Sequence, residues 1–341
     1  MPAPDPRANP FLIGHEAAEA AVLEAMRAGR LHHAWLIEGP EGVGKATLAF
    51  RFARHLLAGK PAAPSLALDP ANPVFRRVAA GGHADLIVIE RTYDAARKRM
   101  RRVIQVEDVR RISAFMGLTP AEGGWRVVIV DGAEDLNPPA FNALLKILEE
   151  PPSRAILLLT CAAPGRLPPT IHSRCRHLRL HPLSDAAMAT ALARYLPELD
   201  EAARGRLIAL ADGSPGRALL LAEEDGIALA ELVDAVLWQL PELPPARGYE
   251  IADRLGRTED AFGTFMDLLR ATIAAAVRAQ ARGRADPEQA RLASLRPLDA
   301  WGDVWQALTR LQDETERFAL DKRQAILTGL EMLRQPLPGT R

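Results

Sequence analysis

Apolar positions in the first half of the chain fall into two kinds of run. Short, unbroken ones ("AWLIE" 34–38, "LIVIE" 86–90, "RVVIVD" 126–131, "AILLLT" 155–160 and "HLRL" 177–180) have the length and continuity of strands buried on both faces. Between most of them the spacing turns helical, over 11–29 with a break at Gly29, over 106–117 and over 138–149. From Ala46 to Ala58, Leu48, Phe52 and Leu56 recur every four residues, with Ala49 and Ala53 beside them, which predicts a helix burying one face. Apolar strands alternating with helices predict an α/β domain with a parallel sheet covered on both sides.

After His181-Pro182 the alternation stops. Residues 184–195, 199–211 and 215–224 read as three short helices, broken by Pro197 and by "DGSPG" (212–216). From about residue 226 only helical patterns remain, interrupted by "PELPPARG" (241–248) and "RGRADP" (282–287). In 300–318, Trp301, Val304, Trp305, Leu308 and Leu311 form one stripe. The expected organisation is a nucleotide-binding-like α/β domain over 1–182, a small helical lid over 183–224 and an all-helical domain over 225–341.

Composition narrows this little. With 341 residues and 48% hydrophobic content a large core is available. Equal numbers of basic and acidic residues (43 each) mean that affinity for nucleic acid requires a local patch. The one strong basic run is "RKRMRR" (97–102), read as a solvated loop, with contact to a DNA backbone or an acidic partner as the alternative. "MPAPDPRANP" lacks the basic start and apolar stretch of a signal peptide, and no apolar run reaches the roughly 18–20 residues that span a bilayer. A cytoplasmic protein without membrane contact is expected. Two cysteines, Cys161 and Cys175, exclude a disulfide framework and a four-cysteine zinc site, and read as small buried residues.

"GPEGVGKATLAF" (39–50) follows the first predicted strand and opens a helix, which is the setting of a phosphate-binding loop. Backbone N–H groups around Gly39, Gly42 and Gly44 can cradle phosphates, and Lys45 can reach the terminal ones. A hydrolytic site of this kind places a hydroxyl after the lysine to hold Mg²⁺. Ala46 offers none, and Thr47 lies about 100° further round the helix. Asp131 ends its strand where a metal-shell carboxylate belongs, but the next residue is Gly132, where a hydrolase places a glutamate base. Glu134 and Asp135 are expected to point elsewhere. Two positions have lost catalytic groups, so the loop is expected not to hydrolyse nucleotide. Residual weak ATP or ADP binding is expected, with no required cofactor and no metal site.

"FNALLKILEEPPSRAILLLT" (141–160), "LPPTIHSRC" (167–175) and "GSPGRALLL" (213–221) together resemble the bacterial clamp-loader AAA+ ATPases over residues 10–222. The resemblance implies a P-loop AAA+ domain, a helical lid and a helical collar that joins five subunits in a ring. The implied partners are the gamma/tau and delta subunits, the sliding clamp and, through the complex, primed DNA. It also implies that Arg174 is an arginine finger serving a neighbour's ATP in trans, that Thr160 holds the sensor position and that Arg217 is the lid arginine. The family commonly inserts a four-cysteine zinc module after the loop helix. Residues 60–86 contain no cysteine, and His83 alone cannot hold zinc. That insert must hold its shape through apolar residues and prolines, or be mobile. The function implied is a non-hydrolysing stator subunit of the loader. The rivals are an active gamma/tau-like motor subunit and a free-standing AAA+ regulator or P-loop kinase.

Overall fold

The computed structural model describes residues 4–59, 64–94, 99–122, 124–256 and 261–334. These form two compact units, Met1–Leu219 and Leu220–Arg341. None of the described helices is long and apolar enough to cross a membrane.

In the first unit, α1 (Glu16–Arg27) leads to β1 (Ala34–Glu38), the glycine loop and α2 (Lys45–Leu57). The short α3 (Pro73–Ala79) precedes β2 (Leu86–Ile89), the two-stranded β3 (Tyr93–Asp94) and β4 (Arg99–Met100), and α4 (Val106–Met116). Then come β5 (Arg126–Val130), α5 (Pro138–Glu149), β6 (Ala155–Cys161), the single turn α6 (Pro169–His172) and β7 (Arg176–Arg179). Helices α7 (Asp185–Tyr195) and α8 (Glu201–Ala211) follow, and α9 (Pro215–Glu223) runs across the boundary at Leu219.

All five main strands run parallel in the order β2-β5-β6-β1-β7. Central β1, β5 and β6 are buried at every position, as expected of strands covered on both faces, whereas edge strand β7 buries only Leu178. Side chains alternate across the sheet. Leu36, Val128, Val130, Leu157 and Leu159 face Val109, Ile112 and Met116 of α4 and Ala140, Leu144 and Ile147 of α5. On the opposite face Trp35 meets Phe52 of α2 edge-on, ring centroids 5.6 Å apart. Each such fully buried side chain contributes roughly 1.5–3 kcal/mol of transfer free energy.

The helices start where the sequence supplies caps. Asn137 accepts the Ala140 amide at 2.9 Å ahead of Pro138, and Asp200 accepts that of Ala203 at 2.7 Å. In the expected insert, Asn72 caps α3, whose Val74, Phe75 and Val78 are buried together with Leu66 and Leu68. Arg54 lies over Phe75, its guanidinium carbon 4.4 Å from the ring centroid. The described part of the insert is therefore held by apolar packing.

Two expectations change. The helix read over 11–29 starts only at Glu16. Within the basic run, Arg99 and Met100 belong to β4, Arg101 and Arg102 are exposed, and Arg97 and Lys98 lie outside the described residues.

The second unit is helical throughout its described residues: α10 (Gly226–Trp238), α11 (Pro245–Leu255), α12 (Ala261–Ala281), α13 (Pro287–Ser294), α14 (Leu298–Phe318) and α15 (Lys322–Arg334). Helix α12 packs on α10, α13 and α14, and α11 on α15. Trp301, Val304 and Leu308 are buried as predicted. Trp305 is not. It is 40% exposed and lies beneath Arg270 at 5.7 Å, because it stands one position past the centre of the stripe.

Candidate nucleotide-binding site

Strand β1 ends at Glu38, and the chain turns through Gly39–Gly44 into α2, whose N-terminus faces a cleft of about 850 Å³. The cleft brings together most of the residues that the sequence singled out: Gly42, Gly44, Lys45, Ala46, Thr47, Asp131, Gly132 and Thr160. The parallel order explains why. Strands β1, β6 and β5 are neighbours, so the loop after β1 and the ends of β5 and β6 open on one edge. Gly39 lies behind the loop, its amide on the Cys161 carbonyl at 3.2 Å. Arg217 touches the loop through its backbone rather than the cleft: a Cβ on Gly42 would stand 3.0 Å from its amide nitrogen.

Lys45 donates from Nζ to the carbonyls of Gly39 (2.8 Å) and Pro40 (2.7 Å). Burial lowers its pKa, opposed by the carboxylates of Glu134, Asp131 and Glu41. Asp131 accepts the Thr160 hydroxyl at 2.5 Å, and that hydroxyl in turn accepts the Gly132 amide at 2.9 Å. Thr160 thus locks the end of β5 to the end of β6. Gly132 has φ +80°, a left-handed conformation, and a Cβ there would stand 3.1 Å from Asp135 Oδ2.

That left-handed turn overturns one expectation. It feeds a 3₁₀ turn over Ala133–Asp135, which swings Glu134 and Asp135 back to line the cleft. Glu134 accepts the Ala162 amide through Oε1 at 2.7 Å, while Oε2 is buried without a hydrogen-bond partner. Asp135 pairs with Arg91 Nε at 3.2 Å, although burial raises its carboxyl pKa on balance. Glu41, Asp131, Glu134 and Asp135 thus stand against Lys45, Arg91 and Arg166 in the same cleft.

His15, which the sequence did not mark, is 6% exposed, lines the cleft and bonds the Val43 carbonyl through Nε2 at 2.8 Å, bracing the loop. Burial lowers its pKa. Ser214, also unmarked, donates to the Glu41 carbonyl at 2.8 Å, and the Gly216 amide donates to Gly42 O at 2.9 Å. The loop is thereby fastened to the start of α9. No local pattern announces either contact, since the partners lie 28 and 173 positions away.

Arg174 does not line this cleft. It follows α6, pairs with Glu149 Oε1 at 2.8 Å and also donates to the Thr170 carbonyl at 3.2 Å. Its side chain is 34% exposed. Cys161 and Cys175 are buried and free, and burial pushes both thiols up to about 12.

A strand, glycine loop and helix over a five-stranded parallel sheet define a P-loop α/β protein. The sequence profile of the family described as DNA polymerase III, delta subunit, matches residues 14–184. The chain belongs to that family. It is 40% identical over 184 residues to DNA polymerase III subunit delta′ of Pseudomonas aeruginosa, a match covering 54% of this chain and 53% of that protein. It is 34% identical over 242 residues to DNA polymerase III subunit tau of Salmonella typhimurium, covering 68% of this chain and 36% of that one. The chain therefore spans about half of the first relative and about a third of the second. Among solved structures, a DNA polymerase III gamma subunit-related protein of Thermotoga maritima aligns with TM-score 0.44 at 18% identity, over 92% of this chain and 98% of that one.

Proposed function

We propose that this chain is the delta-prime type subunit of the DNA polymerase III clamp loader, a stator that does not hydrolyse ATP. It would sit in a five-subunit ring with gamma/tau and delta subunits in the cytoplasm and help place the sliding clamp on primed DNA. Its own cleft would bind ATP or ADP weakly, and Arg174 would serve the γ-phosphate held by a neighbour.

The observation that supports this best is the chemistry of the cleft. The loop and Lys45 are present, but the positions that should supply a metal-binding hydroxyl and a base are Ala46 and Gly132. The surplus of carboxylates lining the cleft opposes a polyphosphate brought in without a well-held cation. Arg174 stands outside the cleft on a half-exposed segment, with a planar fork suited to phosphate. The implied roles of Thr160 as a sensor and of Arg217 as a lid arginine belong to this reading. So does the division of the first unit into a sheet domain and a lid.

A second reading, an active motor subunit, is favoured by one observation: Glu134 lines the cleft, and its carboxylate would act as a base in place of residue 132 if the side chain turned its buried Oε2 outward. One experiment separates the two. Pure chain, Lys45→Ala and Glu134→Gln are assayed for ATPase, and Arg174→Ala is assembled with gamma/tau and delta and assayed with clamp and primed DNA. The stator reading expects no turnover by the pure chain, and a slower stimulated ATPase in a correctly assembled Arg174→Ala ring. Turnover lost in both Lys45→Ala and Glu134→Gln would establish the motor reading. Wild-type rates in the Arg174→Ala ring would remove the trans role.

A further inference from the structure

Behind the phosphate loop, on the other side of Gly39 from the cleft, lies a second depression lined by Glu38, Pro40, Pro164, His172 and Arg179. Glu38, the last residue of β1, is a buried carboxylate, 5% exposed, in a strand otherwise made of apolar side chains. Two histidines converge on it. His177 Nδ1 is 3.2 Å and His172 Nδ1 3.7 Å from the same oxygen, Oε1. The imidazole rings are stacked, centroids 5.4 Å apart and planes within 8°.

The far nitrogens decide what the near ones present. His172 Nε2 is 3.0 Å from the Pro164 carbonyl, and His177 Nε2 is 3.0 Å from the His172 carbonyl. A carbonyl oxygen only accepts, so each Nε2 carries a proton, which leaves Nδ1 of each ring on the side of Glu38. One Glu38 oxygen and a ring nitrogen of each histidine therefore lie within 4.8 Å of one another. Donor atoms this close together suit a positive charge shared among them. A single cation bound by all three satisfies every donor.

We propose that Glu38, His172 and His177 form a binding site for a divalent transition-metal ion of the Zn²⁺ class. Tetrahedral Zn²⁺, with bonds of about 2.0–2.1 Å, sets its donor atoms about 3.3 Å apart, near the 3.2 and 3.7 Å that separate the two Nδ1 atoms from Glu38 Oε1. Imidazole nitrogens select this class over Mg²⁺ or Ca²⁺. Anchoring the remote N–H of each ring on a backbone carbonyl is how ligating histidines are commonly oriented. Arg179 Nε holds the other carboxylate oxygen, Oε2, at 3.3 Å, which leaves Oε1 for the ion. The Arg179 side chain is 74% exposed, so water screens its charge. With the two histidine side chains 29% and 35% exposed, solvent completes the fourth position. The expectation of no metal rested on the missing cysteines, and this site uses none.

The ion would have a defined mechanical effect. The ligands His172 and His177 bracket Ser173-Arg174-Cys175-Arg176, and the third ligand directly precedes Gly39. Bound metal would pin the segment carrying Arg174 to the root of the phosphate loop. The metal site itself does not depend on the clamp-loader reading.

The full chain, stripped with a chelator and desalted, is titrated with Zn²⁺ and separately with Co²⁺. Uptake is followed by equilibrium dialysis with elemental analysis, and the Co²⁺ form by its visible spectrum. The expected result is a single ion per chain, a tetrahedral-type Co²⁺ spectrum and slower amide exchange across 172–177. Affinity should fall at least about tenfold in Glu38→Gln and further in the double variant His172→Ala/His177→Ala. His32→Ala, in the other stacked histidine pair, should bind as wild type. His177→Gln, at the more exposed position, tests the site if the double variant fails to fold. Substoichiometric uptake, or uptake undiminished in His177→Gln and the double variant, would overturn the site. Uptake without any change in exchange over 172–177 would overturn the pinning.

Discussion

Gly42→Ala tests how tightly the phosphate loop is tied to α9. Gly42 has φ +72°, where a residue with a Cβ costs about 1–2 kcal/mol. The added methyl would stand 2.5 Å from Ser214 Oγ, 3.0 Å from the Arg217 nitrogen and 3.2 Å from the Gly216 Cα. Ser214 could rotate away by giving up its bond to the Glu41 carbonyl, but the two backbone atoms cannot move without shifting the start of α9. Such overpacking costs about 1–3 kcal/mol. Gly59→Ala is the control: φ is +65°, yet its Cβ would meet nothing within 4 Å, so only the conformational cost applies. The steric part is the difference between the two variants. For a unit of this size about 1 kcal/mol corresponds to roughly 2–4 °C, so Gly42→Ala should melt about 2–12 °C below Gly59→Ala. Scanning calorimetry gives the melting temperatures, and hydrogen exchange should report faster opening at 214–217 in Gly42→Ala alone. Equal melting of the two variants, with unchanged exchange at 214–217, would refute the contact argument.

Two further outcomes follow from buried titratable groups. Burial lowers the pKa of His15, His33 and His83, so the unfolded chain binds protons that the folded one refuses. Stability should fall as pH drops below about 6.5, with a shallower fall in His15→Gln; denaturant titration at several pH values checks this, and a gain in stability on mild acidification would contradict it. Both thiols are pushed up to about 12, so Cys161 and Cys175 should resist iodoacetamide in the native chain at mildly alkaline pH and both react after denaturation, as mass spectrometry would show; rapid native labelling would contradict the burial.

The sheet was legible because its signal is local: β1 is the run "AWLIE" itself, and β5 and β6 match their apolar runs to within a residue. The phosphate loop was legible because the strand before it and the helix after it are equally local. Elements of a few residues were missed, such as the turn α6 and the pair β3–β4, because they are too short to show a period. At the site, Lys45 and Asp131 were readable from their places at element ends, whereas Thr160 was singled out only through the family resemblance. Glu134 was misjudged because its direction depends on one dihedral, the positive φ of Gly132. The bracing of the loop by His15 and Ser214 and the Glu38–His172–His177 cluster depend on tertiary neighbours, which no window of sequence contains.

The turn at Gly132 also bears on which of the two groups named above, a hydroxyl at 46 or a carboxylate at 132, the chain could accept, and here the two positions differ. Ala46 is half-buried in the first turn of α2, where serine costs only a few tenths of a kcal/mol, so a hydroxyl is one substitution away. A glutamate at 132 would meet a left-handed backbone and a Cβ position 3.1 Å from Asp135 Oδ2. Relaxing that backbone would break the bond from the Gly132 amide to Thr160 and the turn closed by the Asp135 amide on Gly132 O at 3.0 Å. One position therefore accepts the group by a point mutation, while the other is fixed in the main chain. A chain carrying this turn could gain a metal-binding hydroxyl far more easily than a base at 132.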